Sequence, residues 1–302
     1  HQRLRLANGY TALPVARLVR GSVLSSNAVV YLGCSSFDFT QVLATSPLGK
    51  SVYSATGSSG SIASGRLSYV LGLHGACSMI DTACSAGLVA TSFARGALVL
   101  NESEVASVMA VNLILSTDGA HTPFASAGRT SATGKCHTFD KHTDGYARSE
   151  ACGSSVLQTT ASTVKPLVAL EGCAVRCDGK SASLTAPNGQ AQRQVISAAF
   201  AAAQIAPATL SLMEAHGTGT ALGDPMEVGS VNAVVLKPRD ARAAPMAVGR
   251  MKANAGPSEP AAGLSGLLQR PIGTARGDAA PNAHLRAPTP HADSELRGAR
   301  AA

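Results

Sequence analysis

The chain has 302 residues, enough for one large α/β domain or two smaller ones, and 45% of them are hydrophobic against 14% charged. No apolar run approaches the roughly 18 residues of a membrane-spanning helix, which argues against a membrane span. The net charge of +7 comes from scattered Lys and Arg, and aromatics are only 4% with no Trp, so stacked nucleic acid is not the expected partner. An acidic or phosphorylated carrier or coenzyme suits such a surface better.

In chain order, the apolar run 29–34 predicts a strand and the stretch 61–73 a helix. Next comes "SMIDTACSAGLVATSFARGALVL", a predicted strand over 78–83 running into a helix over 85–100. Cys84 falls at the junction, among Ala83, Ser85, Ala86 and Gly87, whose small side chains permit a tight elbow. A thiol there projects into a cleft, and the positive end of the helix stabilises its thiolate, which is what an acyl-accepting nucleophile requires. The seven Cys (34, 77, 84, 136, 152, 173 and 177) are odd in number and lack CxxC or Cys/His metal spacing. That argues against disulfides and structural zinc and for a reducing, intracellular compartment, cytoplasm or organelle matrix. The other six read as small core residues, and only the setting of Cys84 lifts it above the same reading.

Further strands are predicted over 105–115, 167–175, 210–215 and 246–249, and helices over 190–204, 225–236 and 259–269. Strands alternating with helices indicate an α/β protein with largely parallel, buried sheets. His216 follows the strand "LSLMEA" and precedes "GTGT", whose glycines let backbone approach a ligand and whose hydroxyls, Thr218 and Thr220, can donate hydrogen bonds. The plainer alternative is a His that caps a turn. His74, His121, His137, His142, His284 and His291 have no chemical partner visible in the sequence and read as surface or tail residues. From Pro271 the composition shifts to Ala, Arg, Pro and Gly, which predicts an extended or partly disordered tail.

Several long motifs, in order, resemble those of the β-ketoacyl synthases, the condensing domains of polyketide and fatty acid synthases. "DTACSAGLVA" resembles the nucleophile motif, "CHTFDKHTDGYARSEACG" a mid-domain segment and "EAHGTGTALGDPMEVGS" the first histidine motif. "YSATGSSGSIASGRLSYVLGLHG", "LTAPNGQAQ", "QRLRLANGYTAL" and "APNAHLRAPTPH" fit as well.

The resemblance implies a thiolase-like αβαβα architecture of two similar halves: 1–162 with the nucleophile, 163–270 with the His motif, and a tail over 271–302. It implies acyl transfer to Cys84 from an acyl carrier protein or coenzyme A thioester, then decarboxylative condensation with a malonyl-type unit. His216 would assist decarboxylation, while Thr218 and Thr220 would hold the pantetheine arm. No cofactor is expected to be resident, since phosphopantetheine arrives on the carrier. A homodimer, or a subunit of a larger assembly, is the expected state.

Two departures stand out. The family's second histidine motif, Lys-Ser-Asn-Ile-Gly-His-x-Glu, falls on "KANAGPSE", so Lys252, Asn254 and Glu259 match as supporting residues while Pro257 occupies the His position. Proline has no side-chain donor and no backbone N–H, and losing one acid–base group costs on the order of 100- to 10,000-fold, so condensation is expected to be impaired. The family also has an opening strand before the position of His1 and a glycine-rich segment beyond the last residue here. These departures keep a second expectation open, a catalytically inactive ketosynthase-like structural subunit.

Overall fold

Along residues 29–33 successive side chains face opposite ways, and both faces are apolar, the pattern of a strand covered on two sides. The structure is a computed structural model that describes residues 2–35, 38–114, 118–159, 162, 164–240, 242–276, 281–296 and 299–301. The chain divides into two units. The first comprises His1–His121, Ser149–Leu167 and Ser258–Leu268, the second Thr122–Arg148, Val168–Pro257 and Gln269–Ala302.

The first unit is built on a sheet of β1 (Val29–Gly33), β2 (Cys77–Ile80), β3 (Val105–Asn112) and β4 (Ala151–Gln158) in the order β2-β1-β3-β4. β2 and β3 run parallel to β1, and β4 runs antiparallel to β3. On one face Val30, Leu32, Met109 and Val111 pack with Leu13 of the helix Gln2–Val15 and with Leu67 and Leu71 of the helix Gly60–Leu71. On the other, Val29, Ala106, Val108 and Ala110 pack with Ala90, Ala94 and Ala97 of the helix Ala86–Val99 and with Leu264. The alanines bring that helix close. A Cβ on Gly33 would lie 2.6 Å from the Gly87 nitrogen and 2.7 Å from the Ala86 carbonyl carbon.

In the second unit β5 (Leu212–Glu214), β6 (Met246–Gly249) and β7 (Ala299–Ala301) form a parallel sheet. The helix Gly189–Ala203 starts at Asn188, whose side chain accepts from the backbone N–H groups of Gln190 and Ala191. The helix Gly223–Val231 continues into a π turn, Asn232–Leu236. Ala215, Val228, Val231, Val235, Met246 and Val248 form the core with Phe139 and Ala292.

Three segments differ from the sequence reading. The run 167–175 forms no strand. It lies along the helix Gly189–Ala203, where a Cβ on Gly172 would meet the Ala203 nitrogen at 2.6 Å and the Ala199 oxygen at 2.7 Å. Apolar content alone does not make a strand without a ladder partner. β4 went unpredicted because "ACGSSVLQ" has little apolar alternation, and its pairing with β3 supplies what its composition does not. Residues 281–296, expected as extended tail, are seated on the second unit. The Asp140 carboxylate accepts from the backbone N–H groups of Arg286 (2.6 Å) and Ala287 (2.8 Å), and Thr289 caps the short helix Pro290–Glu295, which buries Ala292. The predicted end of the third strand, Leu115, lies outside the described residues.

Among the described residues no helix is long and apolar enough to cross a membrane. The contact between Gly33 and residues 86–87 is backbone against backbone, so Gly33→Ala cannot be relieved by a rotamer change. Overpacking of this kind costs about 1–3 kcal/mol, and the expected outcome is a urea midpoint lowered accordingly with the slope unchanged.

Candidate functional site

After β2 the chain turns sharply. Asp81 Oδ1 accepts from the Ala83 N–H (3.1 Å), and the Ser85 hydroxyl donates to the Thr82 carbonyl (2.8 Å) and hydroxyl (2.9 Å). Ala83 sits in the left-handed region at φ 52°, a conformation costing a non-glycine residue roughly 1 kcal/mol or more, and the fixed neighbours hold it there. Ala86 begins the helix, its N–H bonding the Ala83 carbonyl at 3.0 Å. Cys84 is thus half-buried at an elbow two residues before the amino end of a 14-residue helix. That end favours the charged form of a nearby thiol.

The same helix touches the segment that follows Pro257. At Gly87 an added Cβ would lie 3.0 Å from Leu264 Cβ and 3.1 Å from the Pro260 oxygen. Glu259 is buried with φ 43°, and Ser258 Oγ lies 3.5 Å from Ser265 Oγ. By contrast Cys136 and Cys152 are thiols whose pKa burial pushes up, the environment of structural cysteines.

In the second unit the loop 216–220 leaves β5 and is held by two carboxylates of one helix. Glu227 accepts from the N–H groups of His216 (2.5 Å) and Gly217 (2.8 Å), and Asp224 from those of Gly219 (3.1 Å) and Thr220 (3.2 Å). Asp224 also takes the Phe139 N–H at 2.9 Å. Gly217 (φ 39°) and Gly219 (φ 78°) are both left-handed, and at Gly219 an added Cβ would come within 3.0 Å of the His137 nitrogen. Burial raises the pKa of Asp224 to about 6 against its three N–H partners, with the Glu227 charge adding to the rise. Burial likewise raises Glu227, while its backbone donors and the Lys252 ammonium oppose the rise.

His216 keeps an open side to solvent, yet the protein packed around its ring strips most of its hydration. That desolvation, with the nearby Lys252 ammonium, lowers its pKa to about 4. The imidazole is therefore neutral at pH 7. Lys252 is buried and donates to the Ala215 carbonyl at 3.3 Å, directly before His216. Asn254 bonds the 281–283 segment, donating to the Pro281 carbonyl (2.8 Å) and accepting from the Ala283 N–H (2.9 Å). Pro257 is buried and follows Gly256, which has φ 75°.

Of the residues singled out in the sequence, His216, Thr218, Thr220, Lys252, Asn254 and Pro257 thus belong to the second unit, and Cys84 and Glu259 to the first. Sequence reasoning missed Asp224 and Glu227, whose signal was two acids eight and eleven residues after His216, three apart on one helix. It also read His137, His142 and His284 as isolated. Their rings cluster, with centroids 5.7 Å apart for His137 and His284 and 6.5 Å for His137 and His142. No group of three or more His, Cys, Asp or Glu among the described residues is arranged to hold a metal ion.

Comparison with known proteins agrees with this fold. The family model for the β-ketoacyl synthase N-terminal domain matches residues 1–162, and that for the C-terminal domain matches residues 167–286. The chain is 38% identical over 296 residues to the spectinabilin polyketide synthase system protein NorC of Streptomyces orinoci, covering 97% of this chain and 13% of that protein. It is 36% identical over 296 residues to a phenolphthiocerol/phthiocerol polyketide synthase protein of Mycobacterium tuberculosis, covering 97% of this chain and 16% of that protein. The chain therefore spans a small part of the curated relatives it matches. Among solved structures, the ketosynthase from module 6 of the bacillaene synthase of Bacillus subtilis 168 superposes with a TM-score of 0.91 at 29% identity, covering 100% of this chain and 52% of that one. The oxazolomycin ketosynthase domain OzmH KS7 of Streptomyces albus JA3453 gives 0.87 at 27% identity, with 99% and 52% covered. The fold is thiolase-like.

The His216 environment generates a pH test. With the folded pKa at about 4 and the ordinary value at 6.5, the unfolded chain binds the extra proton between those limits. This group's contribution is then present above pH 6.5 and lost as pH falls toward 4. Relative to His216→Gln, the wild type should lose stability over that window in urea titrations, and the His216 ring should titrate near pH 4 by NMR. An ordinary midpoint near 6.5 would contradict the assigned environment.

Proposed function

Because the chain belongs to the β-ketoacyl synthase family, we propose that it is the condensing domain of a polyketide synthase in which Cys84 accepts the growing acyl group. The observation that carries the reading is the strained elbow placing Cys84 before the helix Ala86–Val99. The Cys84 thiolate attacks the thioester carbonyl of an acyl group on a phosphopantetheine arm. The tetrahedral adduct collapses, the arm's thiol leaves, and the acyl group stays on sulfur. A malonyl-type thioester then loses carbon dioxide, the electrons of the broken carbon–carbon bond pass into an enolate, and its α-carbon attacks the acyl-Cys84 carbonyl, releasing the thiolate.

A neutral His216 can donate one hydrogen bond to the enolate oxygen without first losing a proton. Thr218 and Thr220 would hold the amide groups of the arm. The arm is substrate rather than resident cofactor, brought by an acyl carrier protein or as coenzyme A, and the domain would work as a homodimer within a longer protein. Lys252 and Glu259 support the loops around the two chemical centres, and Asn254 fixes the neighbouring 281–283 segment.

Pro257 favours a second reading. With no donor at that position the enolate keeps a single partner, and a chain that no longer condenses would persist as a structural subunit.

Intact-protein mass spectrometry with acetyl- and malonyl-carrier thioesters separates the readings. The condensing reading expects an acetyl adduct that vanishes in Cys84→Ala, together with carbon dioxide release from the malonyl thioester. An adduct without release would leave acyl transfer only, and no adduct would leave the structural subunit. If the missing donor limits the reaction, Pro257→His should raise carbon dioxide release about 100-fold with little change in the acylation rate; an unchanged rate would show that Pro257 is not what limits it.

A further inference from the structure

The loop 216–220 presents five backbone N–H groups, and the two carboxylates take four of them: His216 and Gly217 on Glu227, Gly219 and Thr220 on Asp224. The fifth, Thr218 N–H, has no acceptor among the described residues, although Thr218 is only 8% exposed. A donor left over in so fully paired a loop calls for an explanation, since an unmet backbone group costs about 1–3 kcal/mol.

The explanation lies across the peptide plane. Thr138 is fully buried, and its hydroxyl donates to the Gly217 carbonyl at 2.6 Å. In a trans peptide the C=O and the following N–H point in opposite directions, so fixing the Gly217 oxygen on Thr138 turns Thr218 N–H to the other side of the loop. Thr138 cannot easily move. Its own carbonyl accepts from Asn282 Nδ2 (3.1 Å), and the next residue, Phe139, is held left-handed at φ 61° with its N–H on Asp224. The Thr138 methyl would also lie 2.6 Å from a Cβ on Gly217, so position 217 takes no side chain beside Thr138.

We propose that Thr138 is a positioning residue whose hydroxyl sets the Gly217–Thr218 peptide so that Thr218 N–H serves as a donor to an amide or thioester carbonyl of the bound pantetheine arm. This rests on the reading of Thr218 and Thr220 as the arm's binding loop. It adds a backbone donor to the side-chain hydroxyls and names the group that aims it.

The test uses the full chain uniformly labelled with heavy nitrogen for amide NMR, with acetyl-pantetheine as probe and the variants Thr138→Val, which removes the hydroxyl at similar shape, and Thr138→Ser, which keeps it. In the wild type without probe, Thr218 N–H should exchange with solvent faster than the N–H groups of residues 217, 219 and 220, and adding the probe should slow it and shift its proton resonance downfield. Thr138→Val should lose that response and raise KM for Cys84 acylation roughly 10-fold at unchanged kcat, with Thr138→Ser restoring both. A Thr218 amide that ignores the probe in the wild type overturns the proposal, and so does a Thr138→Val variant that keeps the response and the KM. If the wild type responds at Thr218 but never forms a Cys84 adduct, the proposal for Thr138 stands and the enzymatic reading falls. Should Thr138→Val fail to fold, the wild-type amide response together with the Thr138→Ser KM decides the matter.

Discussion

The loop 216–220 of the second unit hangs from two carboxylates on one helix. A loop that must bring backbone close to a ligand cannot satisfy its own N–H groups in a ladder, and a tight five-residue loop has few acceptors nearby. Asp224 and Glu227, three apart at the start of the helix Gly223–Val231, provide them from a rigid element. The cost appears as raised pKa values for both acids, because burial opposes their charge. Lys252 offsets part of it, and the same ammonium helps keep His216 neutral. One buried cation therefore acts on two groups, opposing the rise at Glu227 and lowering the pKa of His216.

The first unit answers a different demand, a side chain held at the elbow between the edge strand β2 and a packed helix. Its solution is smallness. Ala83 tolerates a left-handed backbone, Gly33 and Gly87 let the following helix press onto the sheet and onto residues 260–264, and alanines line the contact at 90, 94 and 97. This also explains why a protein so poor in aromatics can still close its core, since the space between layers is set by methyl groups.

The parts legible in the sequence were those carried by short-range pattern. The helix after Cys84, the helix after Asn188 and the strands at 29–33 and 246–249 fall close to where apolar periodicity and capping residues place them. What stayed hidden depends on distant partners. β4 exists because β3 is beside it, the run 167–175 is not a strand because a helix lies there instead, and the segment 281–296 is held by the distant Asp140, which its own composition does not announce. Cys84 and His216 stood out through their neighbours in sequence, whereas Thr138 acts on the Gly217 carbonyl far along the chain, and Asp224 and Glu227 act on main-chain amides of the loop before them. A residue that bonds only main chain leaves no signature of residue type at the atoms it bonds.

Pro257 has to be weighed against this preserved scaffolding. The paired loop amides and the left-handed alanine beside Cys84 hold desolvation or strain, and such features persist where the surrounding structure fixes them. Proline at position 257 offers no side-chain donor, while the elbow at Cys84 and the loop 216–220 each keep the bonds that hold them. On the proposed reading the chemistry is divisible in physical terms: accepting an acyl group would draw on Cys84 and the loop 216–220, while the enolate would be left with His216 as its one donor.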